Sequence, residues 1–203
     1  MVKVKICGIT NLKDALLAAE EGADALGFIF TKSPRQVKPE DVKKIVLKLP
    51  PFVCKVGVFF EDKVTVVKEI MDYCDLNIVQ LHGNVKKRYL KNFDHKAFRV
   101  FEMNKENVLE DIKQFSLPFF MLDFPKNGIQ SYSLDWDVIK KASQLGKVIL
   151  AGGLNLENIE DVIKNVSIYG VDVCRGVEKE NGIKSPEKVK NFIRRIKKCN
   201  MQK

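Results

Sequence analysis

Short runs of β-branched and aromatic residues alternate along the whole chain with stretches in which apolar residues recur at i, i+3, i+4 and i+7. The first pattern is that of strands covered on both faces, and the second that of helices with one apolar side. Strands are predicted over 2–6, 25–28, 53–59, 76–80, 97–101, 119–122, 148–150 and 169–173. Helical stripes run through Leu12, Ala15, Leu16 and Ala19, then Val42, Ile45, Val46 and Leu49, then Val67, Ile70, Met71 and Cys74. They return at Ile159, Val162, Ile163 and Val166, and close at Val189, Phe192, Ile193 and Ile196. The stretches near 85–92 and 106–114 carry weaker helical patterns.

The punctuation agrees. Asn11 and Asn155 stand where helix N-caps belong, and Ser185-Pro186 reads as a cap followed by proline at the first helical position. Gly22 is placed to stop the first helix. Strands that alternate with helices pair in parallel, because each crossover carries a helix. Eight such units across residues 1–203 predict an α/β fold of one domain, a closed (β/α)₈ TIM barrel with a parallel eight-stranded sheet. An open doubly wound sheet is the alternative. The barrel is preferred because eight units close without leaving an edge.

Composition narrows the setting. Of 203 residues 45% are hydrophobic, which excludes a disordered chain. No apolar run approaches the ~20 residues of a membrane span. The five cysteines form no C-x-x-C pair, so neither a zinc site nor a disulfide framework is expected, and a reduced, cytoplasmic setting follows. Neither a metal nor an organic cofactor is called for. Lys+Arg number 35 against 26 Asp+Glu, a formal charge of +9, but lysine is spread along almost every polar face. The one dense basic run, Arg194-Arg195-Ile196-Lys197-Lys198, ends a helical pattern, where cations favour the helix dipole. No nucleic-acid partner is expected, whereas mild attraction for a phosphorylated small molecule is. Pro50-Pro51-Phe52 fits an interface or ordinary surface equally well, so monomer and homodimer both stand.

In a closed barrel, chemistry belongs to the loops that leave the strand ends. Ala151-Gly152-Gly153-Leu154-Asn155 and Cys174-Arg175-Gly176-Val177 follow the seventh and eighth strands, where such loops often hold a phosphate together. Strand parity turns Lys5 and Cys7 to the barrel interior if Val4 and Ile6 face the helices. A lysine there favours a thiolate and needs a partner, which Asp172 can supply. Asp123 ends the sixth strand and is either a turn-former or an acid at the barrel mouth. His82 can hydrogen-bond its own turn with a peripheral substrate contact. Arg35 can grip a carboxylate or lie exposed in its loop.

Taken in order, these segments resemble the phosphoribosylanthranilate isomerase family of tryptophan biosynthesis. The matching residues are Lys5-Ile6-Cys7-Gly8-Ile9-Thr10, Ser33-Pro34-Arg35, Val56-Gly57-Val58-Phe59, Val79-Gln80-Leu81-His82-Gly83 and Leu122-Asp123. They continue with Asp135-Trp136, Ala151-Gly152-Gly153-Leu154, Val171-Asp172-Val173, Gly176-Val177-Glu178 and Gly182-Ile183-Lys184. The resemblance implies an Amadori rearrangement of N-(5-phosphoribosyl)anthranilate without a cofactor, with Cys7 as general base and Asp123 as general acid. It further implies that Arg35 orients the anthranilate carboxylate and that backbone N–H groups around Gly153 and Arg175 hold the phosphate. Two departures stand out. Residues 127–134 replace a glycine-rich family segment, and Cys174-Arg175 replaces a common pair of serines. Another phosphorylated-metabolite enzyme, or a non-catalytic phosphosugar binder, would use the same barrel.

Overall fold

The structure is a computed structural model that describes residues 1–103, 107–124 and 135–201. Eight parallel strands close on themselves in chain order: β1 (Lys3–Cys7), β2 (Ala25–Ile29), β3 (Cys54–Phe60), β4 (Ile78–His82), β5 (Ala97–Glu102), β6 (Phe119–Asp123), β7 (Lys147–Ala151) and β8 (Gly170–Val173). Closure is made by β1, which pairs with β2 on one side and β8 on the other, with Lys5 opposite both Ala25 and Asp172. That seam excludes the open sheet. Around the barrel run α1 (Leu12–Glu20), α2 (Pro39–Val46), α3 (Val64–Tyr73), α4 (Lys87–Leu90), α5 (Val108–Phe115), α6 (Trp136–Leu145), α7 (Ile159–Asn165) and α8 (Pro186–Met201).

Every strand but the last runs one or two residues beyond its apolar run. Cys7, His82, Glu102 and Asp123 are still in the ladder. Backbone pairing is indifferent to side-chain polarity, so the polar residues of the barrel mouth are held by strands rather than by loops. The core has two layers. Outward-facing side chains pack beneath the helices, while Val56, Phe98, Val100, Met121 and Ala151 fill the barrel itself.

Three local expectations need correction. The buried face of α1 is Asp14, Ala15 and Ala18, and Leu16 and Ala19 are only half-buried. The helix is turned so because Asp14 Oδ2 accepts the backbone N–H of Lys184 at 2.8 Å and Asn11 Nδ2 at 2.9 Å. At the other glycine-rich loop, α7 starts at Ile159 and its N-cap is Asn158. Asn155 caps the preceding turn instead, its Oδ1 accepting from the N–H groups of Glu157 and Asn158. Finally, an antiparallel hairpin, β9 (Glu178–Glu180) and β10 (Ile183–Lys184), follows β8. Its charged sequence shows no alternation, so period-two reasoning passes over it.

The other signals act as read. Asn11 Oδ1 caps α1 by accepting from Asp14 N at 2.9 Å. Gly22 ends that helix at φ +94°, with Ala23 N bonded to Ala18 O and Gly22 N to Ala19 O. The long α8 buries Val189, Phe192, Ile193 and Ile196 completely and packs against α7 and α1. Ile193→Ala should therefore lower the unfolding free energy by about 3 kcal/mol, the usual cost of a core cavity. Lys198→Ala on the exposed face should stay within about 0.5 kcal/mol of the parent. Urea unfolding of the two variants checks this.

Candidate active site

The C-terminal ends of the strands surround a cleft of about 700 Å³. All ten side chains or glycines singled out from the sequence line it: Cys7, Arg35, His82, Asp123, Gly152, Gly153, Asp172, Cys174, Arg175 and Gly176. Lys32, Gln80 and Asn181, assigned no role from the sequence, line it as well. Residues 127–134, where the family glycines are replaced, lie outside the described residues.

On the β1–β8 side, parity places the side chains as the sequence implies. Lys5 Nζ donates to Asp172 Oδ1 at 2.7 Å, and both side chains are buried. Cys7 lies two residues above Lys5 on the same face. Burial and the Asp172 carboxylate push its thiol up, and Lys5 opposes them. Cys174 lines the same wall, and burial pushes its thiol up to about 12, which keeps it protonated at neutral pH.

Arg35 departs from one of its two sequence readings: it is buried rather than exposed. Its Nε donates to Glu178 Oε1 at 2.7 Å, and its Nη2 to Glu178 Oε2 and to Asn181 Oδ1 at 3.0 Å. A fork held along one edge by a carboxylate is pre-oriented, so little rotamer freedom remains to be lost on binding an anion. Glu178 also accepts from Lys184 Nζ at 3.1 Å, and Lys184 in turn donates to the carbonyl of Cys7 at 2.6 Å. Burial works against ionised Glu178, but the bonds from Arg35 and Lys184 more than offset it and hold its carboxyl below the usual range. Both residues lie in motif segments, yet sequence reasoning gave them no role. Their signal was a charge expected at a surface and found inside.

Across the cleft, His82 is the last residue of β4 rather than part of a turn, and its Nε2 is 2.8 Å from Gln80 Nε2. Asp123 ends β6, in register with Ala151 of β7. Its carboxylate lies close beside Gly152, whose φ of +89° only glycine adopts readily. A side chain at 152 would strike both the Phe124 backbone and the Asp123 carboxylate, and one at Gly176 would strike the Leu154 carbonyl. Gly152 thus docks the loop after β7 on the end of β6, and Gly176 docks the loop after β8 on the loop after β7. Asn158 Nδ2 adds a bond to the Gly153 carbonyl at 3.0 Å.

This geometry has known counterparts. A family model described as N-(5′-phosphoribosyl)anthranilate (PRA) isomerase matches residues 4–195. The chain belongs to the PRA isomerase family. A PRA isomerase of Geotalea uraniireducens is 42% identical over 201 residues, covering 97% of this chain and 99% of the relative. A crystal structure of PRA isomerase with reduced 1-(o-carboxyphenylamino)-1-deoxyribulose 5-phosphate is 37% identical, with a TM-score of 0.89 over 98% of this chain and 100% of the other. One of monomers generated from the dimeric Thermotoga maritima enzyme is 35% identical, with a TM-score of 0.87, covering 97% and 99%.

Within this PRA isomerase fold, Glu178 should be the costliest charge to neutralise. Glu178→Gln leaves Arg35 and Lys184 buried without their counter-charge, and about 3–5 kcal/mol of stability should be lost at pH 7. A carboxyl held low stabilises the fold above its unfolded value, about 4.3, and that contribution disappears as pH falls through the lower folded value. The difference between parent and variant should therefore shrink below about pH 4, which denaturant titrations across pH will show.

Proposed function

We propose that this chain catalyses the Amadori rearrangement of N-(5′-phosphoribosyl)anthranilate to 1-(2-carboxyphenylamino)-1-deoxyribulose 5-phosphate, with Cys7 as general base and Asp123 as general acid. The observation that carries this reading is convergence: a thiol from β1 and a carboxyl from β6 enter the same cleft, at the barrel end where two glycine-docked loops offer backbone N–H groups.

In this reading Asp123 gives its proton to the furanose ring oxygen. The ring C–O bond breaks, leaving a Schiff base between C1 and the anthranilate nitrogen. Cys7 then takes the C2 proton, and its electron pair forms the C1–C2 double bond of an enolamine, which tautomerises to the ketone. Each positioned transfer contributes typically 10²–10⁴-fold. Arg35, locked by Glu178, faces the anthranilate carboxylate. Backbone groups around Gly152, Gly153 and Gly176 receive the phosphate, with Arg175 adding a cation beside Cys174. His82 and Asp172 bound the sugar, Asp172 through the oxygen that Lys5 leaves to it.

The enzyme would act in the cytoplasm, and among the described residues no helix is long and apolar enough to cross a membrane. A homodimer is the assembly we favour: Phe52, at the tip of the loop before β3, is 98% exposed, and a relative is described as dimeric. Phe52→Ser should then shift the chain toward monomer in sedimentation, whereas a wild-type chain that sediments as a monomer would refute that assembly.

Consumption of the substrate tests the chemistry. Cys7→Ala and Asp123→Asn should each lose about 10²-fold or more in kcat while still binding the reduced product analogue. Wild-type rates in both variants would overturn the assignment, and tight binding without turnover by the wild-type chain would favour the phosphosugar-binder reading. Arg175→Ser should raise KM several-fold, with a smaller effect at high salt because screening already weakens the contact.

A further inference from the structure

Lysine ammonium groups are almost never fully buried without a partner, yet Lys5 is 5% exposed and lies inside the barrel below Cys7. Its Nζ donates to Asp172 Oδ1 at 2.7 Å, on the strand paired with its own. It also lies beside the Cys7 thiol. At this level β2 contributes Gly27, where an added Cβ would fall 2.7 Å from Cys7 Sγ and 2.8 Å from Lys5 Nζ. Thiol and ammonium share the space that any side chain at position 27 would fill.

Without Lys5, the thiol would lie near a buried carboxylate that has lost the cation bonded to it. Burial and a like charge both disfavour a thiolate. Lys184, behind the Cys7 carbonyl, helps from a distance. Cys174 stands near the thiol just past the end of β8, and Arg35 approaches it from the loop after β2. Glu178 on β9 is occupied with Arg35 and Lys184. His82 and Asp123 line the same cleft from β4 and β6. Lys5 is the cation that shares the Gly27 space with the sulfur.

We propose that Lys5 is a positioning residue for the proton transfer, its ammonium anchored by Asp172 and holding the Cys7 thiolate as a buried ion pair in the room that Gly27 leaves. This rests on the reading of Cys7 as the base. Lys5 neither gives nor takes a proton in the cycle. When Cys7 accepts the C2 proton it becomes a neutral thiol, and Lys5 keeps its charge against Asp172. When Cys7 releases that proton the ion pair reforms. Burial opposes the charge on Lys5, but Asp172 and Cys7 together raise its pKa and keep it protonated throughout.

The test reads the thiol directly. Iodoacetamide alkylation of Cys7 in the full-length chain, followed by peptide mass spectrometry across pH, gives the midpoint of thiolate formation. Lys5→Met should move that midpoint up by about one pH unit or more. It should also lower kcat at pH 7 about tenfold or more with little change in KM, the rate recovering as pH rises, a response that mere loosening of the barrel does not give. Gly27→Ala, which wedges the pair apart without removing either partner, should shift the midpoint in the same direction and covers the case in which Lys5→Met does not fold. An unchanged midpoint in either folded variant overturns the proposal. If the midpoints shift while Cys7→Ala keeps full activity, the ion pair stands and the assignment of Cys7 as base is what fails.

Discussion

Burying a charge is costly unless the charge is paired, and that constraint shapes one side of this molecule. Apart from Arg99, which is sandwiched between Phe101 and Phe115, the buried charges among the described residues gather where the barrel closes. Lys5, Arg35 and Lys184 face Asp14, Asp172 and Glu178, three cations against three carboxylates. Each is tied to a neighbour by a hydrogen bond, and the bonds cross the seam: β1 to β8, the loop after β2 to β9, and α1 to β10. The net contribution of such pairs to stability is small, since desolvation consumes most of the attraction. Their effect is geometric. They fix where the Cys7 thiol and the Arg35 guanidinium sit before any ligand arrives.

That arrangement explains which parts of the fold could be read from the chain. The strands were legible because barrel strands are covered on both sides and read as continuous apolar runs. Their ends were not, because His82 and Asp123 interrupt the run while remaining in the ladder. The inward orientation of Lys5 and Cys7 followed from parity alone. The hairpin of Glu178 and Lys184 stayed hidden, since alternation is absent and a lysine within a charged stretch looks solvated. Leu16 reads as the core of α1 because hydrophobicity outranks charge in any periodicity argument, whereas Asp14 faces inward to meet the Lys184 backbone. Polar burial is decided by partners distant in sequence, and local patterns carry no record of them.

The glycines tell a related story. Gly152 and Gly176 were legible as a pair of loops suited to phosphate, but the reason for their lack of side chains is contact with protein: with Phe124 and Asp123 in one case and with the Leu154 carbonyl in the other. The same absence of side chains that leaves backbone groups open to a ligand brings Asp123 and the loop after β7 together. The proposed acid, base and anion site are thus set by packing of rigid elements, the condition under which positioned proton transfer is most effective.

The most direct examination of this account is a crystal structure of the chain with reduced 1-(o-carboxyphenylamino)-1-deoxyribulose 5-phosphate. The account places the phosphate between Gly153 and Gly176 and the anthranilate carboxylate against Arg35. It places the Cys7 sulfur about 3–3.5 Å from the reacting carbons, with the Asp123 carboxyl at the hydroxyl that was the ring oxygen. A ligand seated with its phosphate away from those loops, or with Cys7 and Asp123 both remote from the C1–C2 bond, would contradict it.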